Sequence, residues 1–405
     1  MAENLAALIV ISFIIAYLFK YIKTPPLIGM LLLGILSGPY VLGWLDPSLL
    51  AISSDLRMGA LIVIILRAGF ELSKETLMRV GRPALLLSFI PAVFEGAAIT
   101  FLGPWFLPLD RMESAILGAV LAAVSPAVVV PLMIRFIDER RGTNKGIPTL
   151  VLAGSSIDDV FVIVIYSVLI GIYTGKQMNL VWELASIPIS IVVGIAVGLA
   201  TGAVLYKIFD RYNPPATHRV LTILSVAVLL MGLEHLTKDY VPFAALLAVM
   251  TIGYIILKNR SKYAHEISAQ LAKLWVPAEI VLFVMVGAQV NVKVALDTGL
   301  NGALLIFIAL FFRSIGTWLS VMGTDLNVKE RLFVVISYIP KATVQAAIGG
   351  APLLAMQAAG MNTAPGETIL AVAVLSILLT APLGAWGIIL SAPVLLEKEG
   401  EHPAS

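Results

Sequence analysis

Long apolar runs, interrupted only by short polar loops, recur from the N-terminus almost to the C-terminus. A helix needs about 20 consecutive apolar residues to cross the hydrocarbon core. The pattern predicts thirteen such segments, at residues 5–22, 26–44, 56–72, 82–104, 113–137, 147–172, 180–207, 219–236, 240–258, 270–290, 300–322, 330–357 and 367–392. The expected fold is all-α and polytopic. The first segment lacks a basic leader and a small-residue cleavage site, so it reads as a retained helix and not a signal peptide.

The basic residues test that count. Alternate loops and the tail hold Lys20 and Lys23; Lys74, Arg79 and Arg82; Arg135, Arg140, Arg141 and Lys145; Lys207, Arg211 and Arg219; Lys258, Arg260, Lys262 and Lys273; Lys329 and Arg331; and Lys398. The intervening loops hold only Arg57, Arg111, Lys176, Lys238 and Lys293. Positive charge marks the cytoplasmic side. The N-terminus is therefore expected outside and the C-terminus in the cytoplasm. Arg67, Arg313 and Lys341 lie inside apolar segments, where they need partners or a polar cavity.

Thirteen segments divide into six, one linker and six. An offset of seven turns the second half upside down, the inverted-repeat plan of many secondary transporters. The expected organisation is one membrane domain: a first repeat at 1–175, a linker helix at 176–215, an inverted second repeat at 216–392 and a cytoplasmic tail at 393–405. Segments 2 and 9 both open with proline, at Pro25 and Pro242, before a run rich in small residues. Segments 5 and 12 match better. Segment 5 reads LAAVSPAVVVPLM, with Pro126 and Pro131. Segment 12 reads YIPKATVQAAIGGAPLL, with Pro340, Lys341, Gln345, Gly349, Gly350 and Pro352. Proline removes a backbone donor and clashes with the preceding turn. Two interrupted helices at matching positions point to a transporter's binding site. The plainer reading is a pair of proline-kinked helices.

Composition narrows the class. Hydrophobic residues make up 59% of 405 and charged residues 13%, with a mean hydropathy of +0.98; soluble domains carry about 25% charged residues. No stretch is long and polar enough for a soluble domain. Cysteine is absent, which excludes a disulfide framework and a thiol metal site. The net charge of +2 says little. No cofactor and no nucleic-acid partner is expected.

The candidate chemistry lies in segment 6, LVLAGSSIDDVFVIVIYSVLIGIY, where Asp158 and Asp159 stand in an apolar run. Carboxylates at membrane depth are costly and functional by default, and neighbouring ones resist joint ionisation. Ser155 and Asp159 are four apart and share a helix face, with Ser156 close by; Asp158 is turned by about 100°. A hard cation such as Na⁺ seeks oxygen ligands. Asp158, Asp159, Ser155, the Ser125 hydroxyl at the break of segment 5 and unwound carbonyls would supply them. Cation and proton would then compete for one site. The structural alternative pairs the aspartates with Arg313 or Lys341. Glu95, in segment 4, and Arg313, in segment 11, lie near mid-membrane, where a mutual salt bridge is the obvious economy; equally, Arg313 could balance the aspartates. Lys341 can cap carbonyls or offset a half-helix end. His218, His235, His265 and His402 fall at segment ends or in the tail, where interfacial residues are expected.

AVSPAVVVPLM, KGIPTLVLAGSSIDDV and the PKATVQAAIGG run resemble the cation:proton antiporter superfamily, and most of all the NHA-type Na⁺/H⁺ exchangers of its second subgroup. The resemblance covers about residues 5 to 392. It implies crossed broken helices in an inverted-repeat core, an elevator-like motion against a dimer domain, and a homodimer. It implies that Asp159 is the principal ion-binding carboxylate, that Asp158 is its partner, and that Arg313, where relatives often have lysine, pairs with Glu95. Two positions depart from the pattern. Val124-Ser125 stand where many relatives have Thr-Asp, so the break lacks a carboxylate. Gln289 stands where some animal members have an acidic residue.

The expected function is exchange of Na⁺ or Li⁺ for H⁺ by alternating access, electrogenic, in a prokaryotic inner (plasma) membrane. The alternative is a K⁺/H⁺ or electroneutral exchanger of the first subgroup, which usually has Asn-Asp in place of Asp158-Asp159. An intramembrane enzyme is remote, because the aspartates are adjacent, the histidines peripheral and HExxH absent. A cation channel is also remote.

Overall fold

The computed structural model describes residues 2–21, 26–70, 74–175, 180–237, 243–289 and 292–399. Pro25, Pro242, Lys23, Lys176, Lys238 and His402 lie outside the described residues. The elements, in order, are α1 (Ala2–Tyr21), α2 (Pro26–Ser37), α3 (Pro47–Ala51), α4 (Ser53–Phe70), α5 (Lys74–Phe106), α6 (Arg111–Leu121), α7 (Pro126–Asp138), α8 (Ile147–Tyr173) and α9 (Leu180–Tyr212). They continue with α10 (Ala216–Thr237), α11 (Ala245–Asn259), α12 (Ser261–Ala288), α13 (Val292–Ser320), α14 (Val328–Ser337), α15 (Thr343–Ile348), α16 (Ala351–Ala358) and α17 (Ala364–Leu395). The chain is all-α as expected; among the described residues β-pairing is limited to an isolated bridge between Arg141 and Lys398.

Each predicted segment falls on a helix, except that segment 2, expected to run to residue 44, ends at Ser37, and segments 5 and 12 are split. Segment 5 becomes α6 and α7, parted at residues 122–125. Segment 12 becomes α14, α15 and α16, parted first at residues 338–342. The plain proline kink is thus replaced by a true break in both. By length and composition, 8 helical stretches among the described residues can cross a membrane, and three further apolar helices are shorter.

Local signals explain where the broken helices begin. Asp110 caps α6 and Glu113 reaches back to the Asp110 N–H, a complete capping box. Asn327 and Glu330 make the same box at the start of α14. Both patterns satisfy backbone donors that a helix start leaves open. Pro126 opens α7 just after Ser125, where a missing N–H costs nothing. In α13, Gly299 at φ +61° interrupts the helical backbone, so the continuous part starts where segment 11 was expected.

Packing follows a paired scheme. α2 lies on α12 and α11 on α4; α5 lies on α8 and α13 on α17; α4 meets α12 and α5 meets α13. Glycines allow the first two contacts. A Cβ at Gly34 would strike the backbone of Val284, and one at Gly287 the backbone of Leu31. On the other pair, Gly69 and Gly253 touch each other's chain in the same way. Small residues at such crossings let helix backbones approach closely in a membrane protein.

Candidate functional site

The two breaks cross. Ser125 N–H donates to Pro340 O at 2.8 Å, and the Ser125 and Thr343 hydroxyls lie 3.4 Å apart. A helix end leaves carbonyls without partners and carries partial negative charge. Here those carbonyls are served by three side chains. Lys341 Nζ donates to Leu121 O at 2.5 Å. Arg313 Nη1 donates to Ala122 O, and its Nε donates to Tyr338 O at 2.6 Å. Gln345 Nε2 donates to Ala123 O at 3.0 Å, and to Val120 O and Leu121 O at 3.3 Å. Arg313 therefore clamps the C-terminal ends of α6 and α14 together. The carbonyls at the end of α6, expected to face a cation, instead accept these bonds.

Glu95, on α5, sits between the two cations. Its Oε2 accepts from Arg313 Nη1 at 2.7 Å, while Lys341 Nζ lies 2.7 Å from Oε1 and 2.9 Å from Oε2. The expected Glu95–Arg313 pair is present, and Lys341 joins it. Lys341 belongs to the break of segment 12 but caps the half-helix of segment 5. Its own N–H donates to Thr380 Oγ1 at 3.0 Å. Arg313 also approaches Asp158, with Nη2 3.5 Å from Oδ2. Of the two roles weighed for Arg313, it fills that of partner to Glu95, and of the two aspartates it reaches only Asp158.

Asp158 and Asp159 are set in unlike surroundings. Asp158 is 0% exposed, and its Oδ2 accepts the Val124 N–H at 2.7 Å. It supplies from α8 the carboxylate that the Val124-Ser125 break lacks. Asp159 is half-buried, and its Oδ1 is shielded with no hydrogen-bond partner among the described residues. Glu95, Arg313, Lys341 and Asp158 are each at most 1% exposed. Their formal charges cancel, two positive against two negative, and Asp159 is left over. An unpaired carboxylate at this depth needs a proton or a cation.

The serines contribute hydroxyl oxygens. Ser155 and Ser156 both donate to Leu152 O, at 3.1 Å and 2.8 Å, which leaves their oxygen lone pairs free to accept. A cavity of about 380 Å³ lies beside the breaks, lined in part by Tyr40, Ser53, Gln289 and Gln345. Gln289 Nε2 reaches Ser53 Oγ at 3.4 Å. Arg67, expected inside an apolar segment, lies in the last turn of α4 and pairs with Asp138 at the end of α7, at 2.8 Å. His218 and His265 are exposed.

Sequence reasoning quoted Gln345 only as part of a run and gave no role to Tyr338, Thr380 or Asp138. A polar, uncharged residue just after a break was the available signal for Gln345: such a residue must find backbone partners at depth.

Comparison with known proteins agrees with this architecture. The family model described as sodium/hydrogen exchanger, transmembrane, matches residues 8–394. Sodium/hydrogen exchanger 9B2 of Homo sapiens is 32% identical over 85% of this chain and 65% of its own length, so the chain spans just under two thirds of that relative. Sodium/hydrogen exchanger 9B1 of Mus musculus is 32% identical over 98% of this chain and 72% of its own. The sodium proton antiporter MjNhaP1 of Methanocaldococcus jannaschii shares the fold, with a TM-score of 0.78 at 22% identity over 99% of both chains. The crossed breaks, the matched residues and the shared fold lead to one conclusion: this chain is an integral membrane protein of the sodium/hydrogen exchanger family, within the cation:proton antiporter superfamily, and so a member of a family of transporters and not of enzymes.

Proposed function

We propose that this chain exchanges Na⁺ or Li⁺ for H⁺ by alternating access, with Asp159 as the group that is loaded. The observation that carries this reading is the charge balance around the crossed breaks. Glu95, Arg313, Lys341 and Asp158 neutralise one another, and Asp159 alone has no cationic partner. A carboxylate in that setting is occupied either by a proton or by a cation, never stably by neither. Asp158 Oδ1, Ser155 and Ser125 would complete the oxygen shell around Na⁺ at Asp159. The relatives' names carry the same ion pair, sodium and hydrogen.

The proposal includes the wider organisation. Thirteen crossings in two inverted repeats account for the matched helix pairs, because α2 on α12 and α11 on α4 are related by an offset of seven segments, as are α5 on α8 and α13 on α17. α9 serves as the linker, residues 1–175 and 216–392 form the repeats, and 393–405 form the tail. With the N-terminus outside and the C-terminus inside, the 380 Å³ cavity faces outward. The working unit is a homodimer in which the crossed breaks move against a fixed dimer domain. The vertebrate relatives lend no support to a prokaryotic inner membrane, which stays an expectation of the sequence.

Electrogenic exchange requires both aspartates to cycle. It is supported by the position of Lys341, which holds Glu95 and not Asp158. The second reading is electroneutral exchange. It is favoured by the Val124 N–H and Arg313, both of which contact Asp158 Oδ2 and tie it to the break. Purified protein in proteoliposomes tests the main proposal. Collapse of an imposed pH gradient on adding Na⁺ or Li⁺ supports it; proton leak without a counter-cation indicates a channel, and no flux opposes transport altogether.

A further inference from the structure

One peptide group lies between Gln345 and Asp158. The Ala123 carbonyl accepts from Gln345 Nε2 at 3.0 Å, and the Val124 N–H donates to Asp158 Oδ2 at 2.7 Å. These are the two polar ends of the same peptide plane, and no cis bond occurs in the described chain. In a trans peptide the C=O and N–H point in opposite directions. Gln345 and Asp158 therefore grip the plane from opposite sides. Residues 122–125 belong to neither α6 nor α7, so no helical hydrogen bond fixes that plane.

The orientation of the Gln345 amide is set by its neighbours. Three carbonyls face its Nε2, and only an NH₂ group can meet them. Its Oε1 is left without a partner. A long polar side chain that is 2% exposed, spans from α15 to the end of α6 and leaves one atom unserved is costly as mere filling.

We propose that Gln345 is a positioning residue for Asp158, acting through the Ala123–Val124 peptide. By holding the carbonyl it keeps the N–H aimed at the carboxylate and polarises it as a donor. This inference rests on the exchange reading above. The other charged and titratable groups acting on Asp158 are Asp159 on α8, Arg313 on α13, Lys341 and Tyr338 at the break before α15, and Glu95 on α5. None of them touches the Ala123 carbonyl; Lys341 shares Leu121 O with Gln345, so thermal stability is measured beside transport for each variant.

The test is the Na⁺ dependence of exchange in proteoliposomes at one fixed pH for wild type and Gln345→Met, which keeps the length and removes the donor. With the Ala123–Val124 peptide no longer held, Asp158 is a worse-placed oxygen ligand beside Asp159, so the apparent KM for Na⁺ rises several-fold while the maximal rate changes far less. A fall in maximal rate with the apparent KM unchanged overturns the proposal, because a merely structural glutamine would do only that. Gln345→Asn, which keeps the amide but shortens its reach, is expected to raise the apparent KM by less. If neither variant folds while wild type does, Gln345 only caps α6 and the proposal is overturned. A wild type that fails to exchange defeats the exchange reading instead, and the two failures are thus distinct.

Discussion

Arg313 Nη2 lies 3.5 Å from Asp158 Oδ2, whereas Asp159, the next residue along α8, has no ion-pair partner among the described residues. Two identical side chains, adjacent in sequence, thereby acquire different tasks. Helix geometry is the cause: consecutive residues are turned by about 100° and face different neighbours. Asp158 faces the break and its donors, and Asp159 is left half-buried.

The buried triad of Glu95, Arg313 and Lys341 sets the first expectation. Removing one partner of a buried pair leaves an uncompensated charge, at a cost of about 3–5 kcal/mol. Glu95→Gln strands two cations and is expected at the upper end. Glu95→Gln combined with Arg313→Met is milder than the sum of the singles. A thermal-stability double-mutant cycle reads the coupling, and strictly additive effects would show that the pair does not interact.

Arg313→Lys probes the clamp between the two half-helices. A guanidinium can donate in several fixed directions at once, and an ammonium is a compact point charge. Lysine at 313 is expected to keep the charge but lose one of the bonds to Tyr338 O and Ala122 O, destabilising the protein by about 1–3 kcal/mol. Exchange should persist, since the resemblance to relatives with lysine here implies tolerance. An unchanged melting temperature would mean that the clamp carries no stability.

Arg67 and Asp138 offer a contrast. Their side chains are 17% and 51% exposed, so the pair is screened by solvent and worth no more than about 1 kcal/mol. Asp138→Asn should barely change thermal stability. A loss comparable to that of Glu95→Gln would indicate that the end of α7 is buried by something else in the assembled protein.

Competition gives the pH dependence a definite sign. If proton and cation share Asp159, lowering the pH raises the apparent KM for Na⁺, approaching tenfold per unit for a single proton, by about the usual one-proton linkage. The maximal rate at saturating Na⁺ should change far less. A KM independent of pH would place the proton elsewhere.

Much of this arrangement was legible in the sequence. The polytopic all-α plan, the two proline-bearing breaks at Pro126 and Pro340 and the Glu95–Arg313 pair follow from the cost of polar groups at membrane depth, which is large enough to leave a mark on composition. Local signals failed where geometry is long-range. Lys341 sits beside the break of segment 12, yet its ammonium caps α6, 220 residues away in sequence. The substitute for the missing carboxylate at Val124-Ser125 came from Asp158, because a crossing of two broken helices brings α8 to the N-terminal end of α7. Neither could be found from spacing along one segment. Arg67 needed a partner by the same cost argument, but only the packing of α4 against α7 shows that it is Asp138.

Charge movement separates the two readings of Asp158. Moving one charge is worth about 2.3 kcal/mol per 100 mV. Electrogenic exchange predicts a transient current on a Na⁺ jump in solid-supported membranes, reduced or silenced by Asp158→Asn with some exchange spared. Brisk ΔpH-driven Na⁺ uptake without current, and without response to a K⁺/valinomycin potential, selects the electroneutral reading.

The central claim is that Asp159 is the group loaded in turn by proton and cation. Its most direct test is Na⁺-driven proton movement by purified Asp159→Asn protein in proteoliposomes, with folding checked by thermal unfolding. The account predicts a folded protein, at least as stable as wild type because an unpaired buried carboxylate has been removed, that moves no protons in response to Na⁺. Exchange at the wild-type rate by well-folded Asp159→Asn protein would contradict it.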